Sequence, residues 1–246
     1  MSDIEIIAHR GFSARAPENT LAALDAAARA GADAVEFDIQ TGGDGIPVLF
    51  HDEMLSRTSN GVGPVRRRTL SQMKTLDAGK WFGPEFAGER IPSLTEAFRQ
   101  LAGGTGRIYA EVKGFRELED VDRMAKIAQD EGVLDRTVFI AMNWTLLDRM
   151  RTTMPGLSIG YIVDDEGQVK EARERARGDE RAMIDFDAKV LAADPSIVPH
   201  TRAAGIDLAV WTVDDPEEAS RLHDLGVRRF TTNQVETLLS WKQAQS

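Results

Sequence analysis

"IIAHRGFSARAPENTLAALDAAARAGADAVEFDI", residues 6–39, reads as strand, loop, helix and strand. The apolar run at 4–9 suits a buried strand. Leu21, Leu24 and Ala28 recur at helical spacing within 20–30, and Gly31 stands where a helix-ending glycine belongs. A second strand follows at 33–39. Strand, helix, strand is the repeating unit of a parallel sheet. The alternation continues, with strands expected at 46–51, 107–113, 137–142, 157–163, 181–186, 206–213 and 228–232. Helices are expected at 95–102, 118–131, 144–154, 166–177, 195–204, 216–225 and 235–243. About eight such units in 246 residues favour a closed (β/α)8 TIM barrel over an open sheet. The chain is therefore expected to form a single domain, 1–246, with no internal sequence repeat.

One stretch, 52–93, breaks the alternation. It is rich in glycine and proline and holds one short helical run near 70–76. A loop of this length in a compact domain is usually functional or disordered. Trp81, Phe82 and Phe86 argue for order. This insertion follows the second strand region, so it is expected to rise from the active-site face, with its aromatics closing over a ligand.

Composition narrows the function. A net charge of −10 argues against a general nucleic-acid face. Arg66-Arg67-Arg68 is the densest basic run and reads as a solvated loop. No run approaches the roughly 18 apolar residues of a membrane span. There is no cysteine, which removes disulfides and thiolate metal sites and suits the cytoplasm. The first strand candidate starts at Ile4, leaving no room for a signal peptide. Nothing in the sequence specifies an oligomeric state.

The chemistry lies at strand ends. Side chains alternate along a strand, so Val35, Phe37 and Ile39 share one face and Glu36 and Asp38 the other. Glu111 and Lys113 pair in the same way, and His51 shares a face with Leu49. Barrel active sites lie at the C-terminal strand ends. Each residue alone has a plain structural explanation, such as a solvated strand end, a core histidine or a simple ion pair. Together, Glu36, Asp38 and Glu111 converge, repel one another and call for a cation. Oxygen donors make that cation hard, Mg²⁺ or Ca²⁺. His9 and His51 suit acid–base chemistry near neutral pH. Arg10 and Lys113 add fixed positive charge, and the whole describes a phosphate-ester site. A barrel glycosidase would need a carboxylate pair about 5–9 Å apart and no histidine pair. A non-catalytic barrel would be expected to have lost ligands. Asp214 and Asp215 read as helix caps, His200 and His223 as structural, Trp144 and Trp241 as packing residues.

His9-Arg10-Gly11, Pro17-Glu18-Asn19-Thr20, Glu36-x-Asp38, His51-Asp52, Glu111-x-Lys113 and Trp211-Thr212-Val213 resemble the bacterial glycerophosphodiester phosphodiesterases. The likeness covers the whole chain, including Arg57-Thr58-x-Asn60-Gly61, Leu76-Asp77-Ala78-Gly79 and Ile91-Pro92-x-Leu94 in the insertion. It implies a (β/α)8 barrel with a small insertion, hydrolysing glycerophosphodiesters to glycerol 3-phosphate and an alcohol with a divalent metal. By position, Glu36, Asp38 and Glu111 match the metal ligands and His9 and His51 the catalytic pair. Arg10 and Lys113 match phosphate contacts, Trp211 an aromatic near the substrate, and Glu18 a residue orienting the loop or site. The attacker can be water or the substrate's neighbouring glycerol hydroxyl. A lysophospholipase D-like specificity on the same machinery is the alternative. One departure is local: the family's Pro-Asp after Thr232-Asn233 is here Val235-Glu236.

Overall fold

The computed structural model describes residues 4–104 and 106–245. The described residues form nine strands: β1 (Glu5–Ala8), β2 (Ala34–Thr41), β3 (Pro47–Leu49), β4 (Arg107–Val112), β5 (Thr137–Ala141), β6 (Ser158–Val163), β7 (Ala182–Asp187), β8 (Asp207–Trp211) and β9 (Arg229–Thr232). All but β3 pair in parallel, and β1 bonds both β2 and β9, which closes an eight-stranded barrel. The helices are α1 (Leu21–Ala30), α2 (Leu70–Met73), α3 (Leu94–Leu101), α4 (Leu118–Asp130), α5 (Trp144–Thr153), α6 (Val169–Ala176), α7 (Ala188–Ala193), α8 (Ile197–Ala203), α9 (Pro216–Leu225) and α10 (Val235–Ala244). None is long and apolar enough to cross a membrane.

Strand periodicity sorts the core into two layers. Val35, Phe37 and Ile39 of β2 join Phe139, Ile184, Phe186 and Phe230 in the large cluster between strands and helices. Ile7, Tyr109, Val138, Ile140, Ile162, Met183 and Ala209 fill the barrel interior. At the N-terminal end, Glu5 pairs with Arg229 and Arg107, and Arg229 also grips Asp207. The opposite end is left for the polar side chains of the strand tips.

Two expectations need correction. The 46–51 run is not a barrel strand. Residues 42–46 make a tight turn, with the Gly42 N–H donating to the Ile46 carbonyl, and β3 returns antiparallel along β2. A parallel crossover needs a dozen or more residues, and this link is far shorter. The second correction is α7, which begins directly after β7 with Asp187 as its cap. Six residues are too few to show helical periodicity in sequence.

The insertion packs against the β3 segment in a small separate core, Val48 and Phe50 with Leu55, Val65, Met73, Ala78 and Ile91. Its Asn60 and Asp77 motifs are turns: each backbone bonds the other residue, and the Asp77 carboxylate accepts from the N–H groups of Gly79, Lys80 and Gly88. Trp81, Phe82 and Phe86 stack edge to face on one another.

Candidate active site

The loop after β1 makes the first side of the site. Arg10 and Gly11 both take left-handed backbone angles, φ +54° and +75°. A Cβ on Gly11 would lie 2.6 Å from the Ala23 carbonyl carbon, so glycine is required where the loop meets α1. The bend turns the Arg10 N–H onto Glu36 Oε2 at 2.8 Å and its Nε toward Asp38 Oδ2 at 3.3 Å. Asn19 closes the loop. It donates to Asp38 Oδ2 at 2.7 Å and accepts from the Asp38 N–H at 3.0 Å.

Glu36 and Asp38 on β2 meet Glu111 on β4, where Asp38 and Glu111 are register partners. One oxygen from each lies within 4.8 Å of the others, and all three residues are buried. Lys113 Nζ is 2.7 Å from Glu111 and 3.7 Å from Asp38. Two fixed cations face three carboxylates, and Glu36 Oε1 is buried without a partner. Burial, then repulsion by Asp38 and Glu111, holds Glu36 well above the ordinary carboxylate range. Burial and Asp38 push Glu111 up to about 7. Burial also disfavours the Asp38 charge, but Arg10 and Lys113 outweigh it and keep this carboxyl low. A buried oxygen triad short of positive charge, with one orphan oxygen, fits a hard divalent cation.

Two histidines flank the triad, and their second nitrogens are tied differently. His9 Nδ1 is 2.8 Å from Asn233 Oδ1. Asn233 is fixed by Asp214, which accepts from both its backbone and its amide. Burial, reinforced by Arg10, lowers His9 to about 4, so the ring is neutral at pH 7. His51 follows β3, and its carbonyl accepts from Gln40 Nε2 at 3.1 Å. Its Nδ1 is 2.6 Å from Asp52 Oδ1. Arg57 grips Asp52 with Nε and Nη2, at 2.6 and 3.0 Å, and Glu18 with both terminal nitrogens at 2.8 Å. Glu18 also accepts from Arg10 at 2.7 Å. A continuous chain, His51–Asp52–Arg57–Glu18–Arg10–Asp38, joins the insertion to the triad. Hydrogen bonds from Arg57 are the main reason Asp52 falls to about 2.

The cavity between these groups has a volume of about 130 Å³. His9, Arg10, Glu36, His51, Glu111, Lys113 and Trp211 all line it. Asp38 lies behind its wall, buried under Arg10 and Asn19, and Glu18 stands outside it, bridging the two arginines. The structure thus gathers every predicted site residue. It adds Asp52, Arg57, Asn19, Asn233 and Asp185, to which the sequence reading gave no site role. For the first four the signal was their presence in, or next to, the quoted motifs. Asp185 had none. Trp81 and Phe82, expected over the ligand, are absent from the cavity wall. The insertion's contribution to the network is Asp52 and Arg57. Asp215 caps α9, whereas Asp214 braces Asn233 rather than a helix. His223 stacks on Trp241, and Trp144 bonds the Ile162 carbonyl. At the Val235-Glu236 departure, Val235 is buried at the start of α10 and Glu236 pairs with Arg15.

This chain is similar to known proteins along most of its length. Residues 9–237 match the Glycerophosphoryl diester phosphodiesterase family. A glycerophosphodiester phosphodiesterase of Caldanaerobacter subterraneus is 34% identical over 96% of each chain. A probable glycerophosphodiester phosphodiesterase 1 of Mycobacterium tuberculosis is 50% identical over 96% of this chain and 91% of its own. Among solved structures, an Oleispira antarctica phosphodiesterase in complex with the product sn-glycerol-3-phosphate superposes with a TM-score of 0.90. It shares 31% identity and is covered over 96% of its chain, against 97% of this one.

Proposed function

Because the chain belongs to the glycerophosphoryl diester phosphodiesterase family and is a phosphodiesterase of that class, we propose that it hydrolyses glycerophosphodiesters to glycerol 3-phosphate and an alcohol, using one divalent cation and two histidines. The whole chain acts as one barrel unit. Glu36, Asp38 and Glu111 would hold Mg²⁺ or Ca²⁺, which would supply Lewis-acid stabilisation of negative charge on the phosphate. Arg10 and Lys113 contact the phosphate, and Trp211 packs beside the substrate.

The observation that carries the reading is the unequal bracing of two imidazoles on one small cavity. His9 faces an amide oxygen through Nδ1, which suits a neutral ring with its Nε2 lone pair directed at the cavity. His9 is therefore the base, taking the proton from the attacking oxygen, either of water or of the neighbouring glycerol hydroxyl. His51 faces the Asp52 carboxylate, a stronger acceptor for an Nδ1–H than the amide oxygen that faces His9. His51 is therefore the acid, giving its Nε2 proton to the departing alkoxide. Glu18 acts at one remove, holding Arg10 and Arg57 together. The lack of cysteine fits a cytoplasmic setting.

A lysophospholipase D-like specificity is the second reading. Phe115 and Leu118 follow β4, and Met142 follows β5; all three are exposed apolar side chains on the mouth side of the barrel. One panel separates the two: glycerophosphocholine, glycerophosphoethanolamine and lysophosphatidylcholine, with release of the free head-group alcohol, choline or ethanolamine, measured. The first two should turn over, EDTA should abolish turnover, and Mg²⁺ or Ca²⁺ should restore it. Turnover of lysophosphatidylcholine alone would favour the second reading. Full activity after exhaustive chelation would remove the cation from the mechanism.

A further inference from the structure

Asp185 has no part in the chemistry above, yet it lies inside the site. It is the fourth residue of β7, and the strand's alternation turns it inward with Met183 while Ile184 and Phe186 face the helices. It is 4% exposed, and its Oδ1 has no hydrogen-bond partner. It lines the same cavity as the histidines. The β5–β8 wall around it is otherwise mostly apolar, with Ile140 and Ile162 beside it. It does not belong to the oxygen triad, so the cation does not account for it.

We propose that Asp185 determines specificity by hydrogen-bonding a free hydroxyl of the substrate's glycerol moiety, an assignment that rests on the function proposed above. Three features support it. A buried polar atom left unpaired is costly, and a polar ligand group relieves that cost on binding. The unpaired Oδ1 is an acceptor set among Ile140 and Ile162, which suits a hydroxyl that can donate to it and not a phosphate oxygen that cannot. The cavity also has a direction. Trp211 and Thr212 line both it and an adjoining groove bounded by Asp187, Lys189 and Glu218. That groove suits the alcohol that varies between substrates, and the enclosed end beside Asp185 suits the constant glycerol. The Trp211 indole N–H donates to the Asp185 carbonyl at 3.4 Å, tying the two regions together.

The test compares Asp185→Ala and Asp185→Asn on glycerophosphocholine and on propyl phosphocholine, which lacks both glycerol hydroxyls. Asp185→Ala should lose roughly 10–100-fold in kcat/KM on glycerophosphocholine and less than about threefold on propyl phosphocholine. Asp185→Asn, which keeps a donor and an acceptor, should recover most of the loss. Tm serves as the folding control. If wild type does not cleave propyl phosphocholine, the same comparison is read as competitive inhibition, where Asp185→Ala should weaken glycerol 3-phosphate roughly 10–100-fold and propyl phosphate less than about threefold, equal weakening of the two overturning the assignment. Equal losses on the two substrates, or no loss on glycerophosphocholine, would overturn the assignment. A wild-type enzyme that cleaves propyl phosphocholine but no glycerophosphodiester would overturn the proposed function itself.

Discussion

Arg57 is the point at which the network can be cut with least damage to the fold. It lies in the insertion, its side chain is 44% exposed, and it makes four hydrogen bonds to two carboxylates. Arg57→Met keeps the aliphatic stem and removes all four. Solvent screens these ion pairs, so the cost in stability should be about 1 kcal/mol, roughly 2–4 °C in Tm for a chain of this size. Activity should suffer more. Without Arg57, Asp52 is free to swing, and His51 loses its fixed orientation. Removing such a supporting partner typically costs about 10–100-fold in activity. If His51 is the acid, the loss depends on the leaving group. It should be large for glycerophosphocholine, whose alkoxide needs a proton, and small for a nitrophenyl phosphodiester, whose phenolate does not. Arg57→Lys restores the charge but cannot fork onto both carboxylates, so it should not rescue the rate. Equal rate losses on both substrates, or an unchanged kcat with a lowered Tm, would refute the positioning role.

The two histidines should separate in the same assay: His9→Ala and His51→Ala both lose about 10²–10⁴-fold on glycerophosphocholine, but only His51→Ala recovers on the nitrophenyl ester. Recovery of His9→Ala instead would reverse the assignment. In cation-free protein, Glu111 is raised from 4.5 to about 7, so the folded state binds more protons between those values, and the group's contribution is full below 4.5 and lost as pH rises through 7. Glu111→Gln should therefore raise the Tm of chelated protein at pH 8 and not at pH 4.5, while added Mg²⁺ or Ca²⁺ should stabilise the wild type most at pH 8. A Tm at pH 8 indifferent to this substitution would contradict the electrostatic account of the triad. Gly11→Ala, which puts a Cβ 2.6 Å from the Ala23 backbone at positive φ, should destabilise by more than about 2 kcal/mol in chemical denaturation. Near-wild-type stability would show that the loop can give way there.

Much of this molecule is set by short-range chemistry and is therefore written along the chain. The barrel follows from the alternation of period-2 and period-3.6 segments. The inward aim of Glu36, Asp38 and Glu111 follows from strand parity alone, because successive side chains must leave opposite faces. The stops and caps, Gly31, Ser93 with Glu96, and Asp215, are equally local. The short link at 42–46 was local as well, and loop length alone forbids the parallel strand expected after it.

Other features depend on distances that no spacing encodes. His9 is oriented by Asn233, 224 positions away, because β1 and β9 become neighbours only when the barrel closes. His51 is held through Arg57 by Glu18, across 39 positions, only because the insertion folds back over the first loop. Asp185 looks in sequence like any acid in an apolar run. Closure of the barrel buries it without a partner beside the mouth. Strand parity determines which way a side chain points, but partners, burial and the charge a carboxyl can keep are set by what the closed barrel brings within a few ångströms of it.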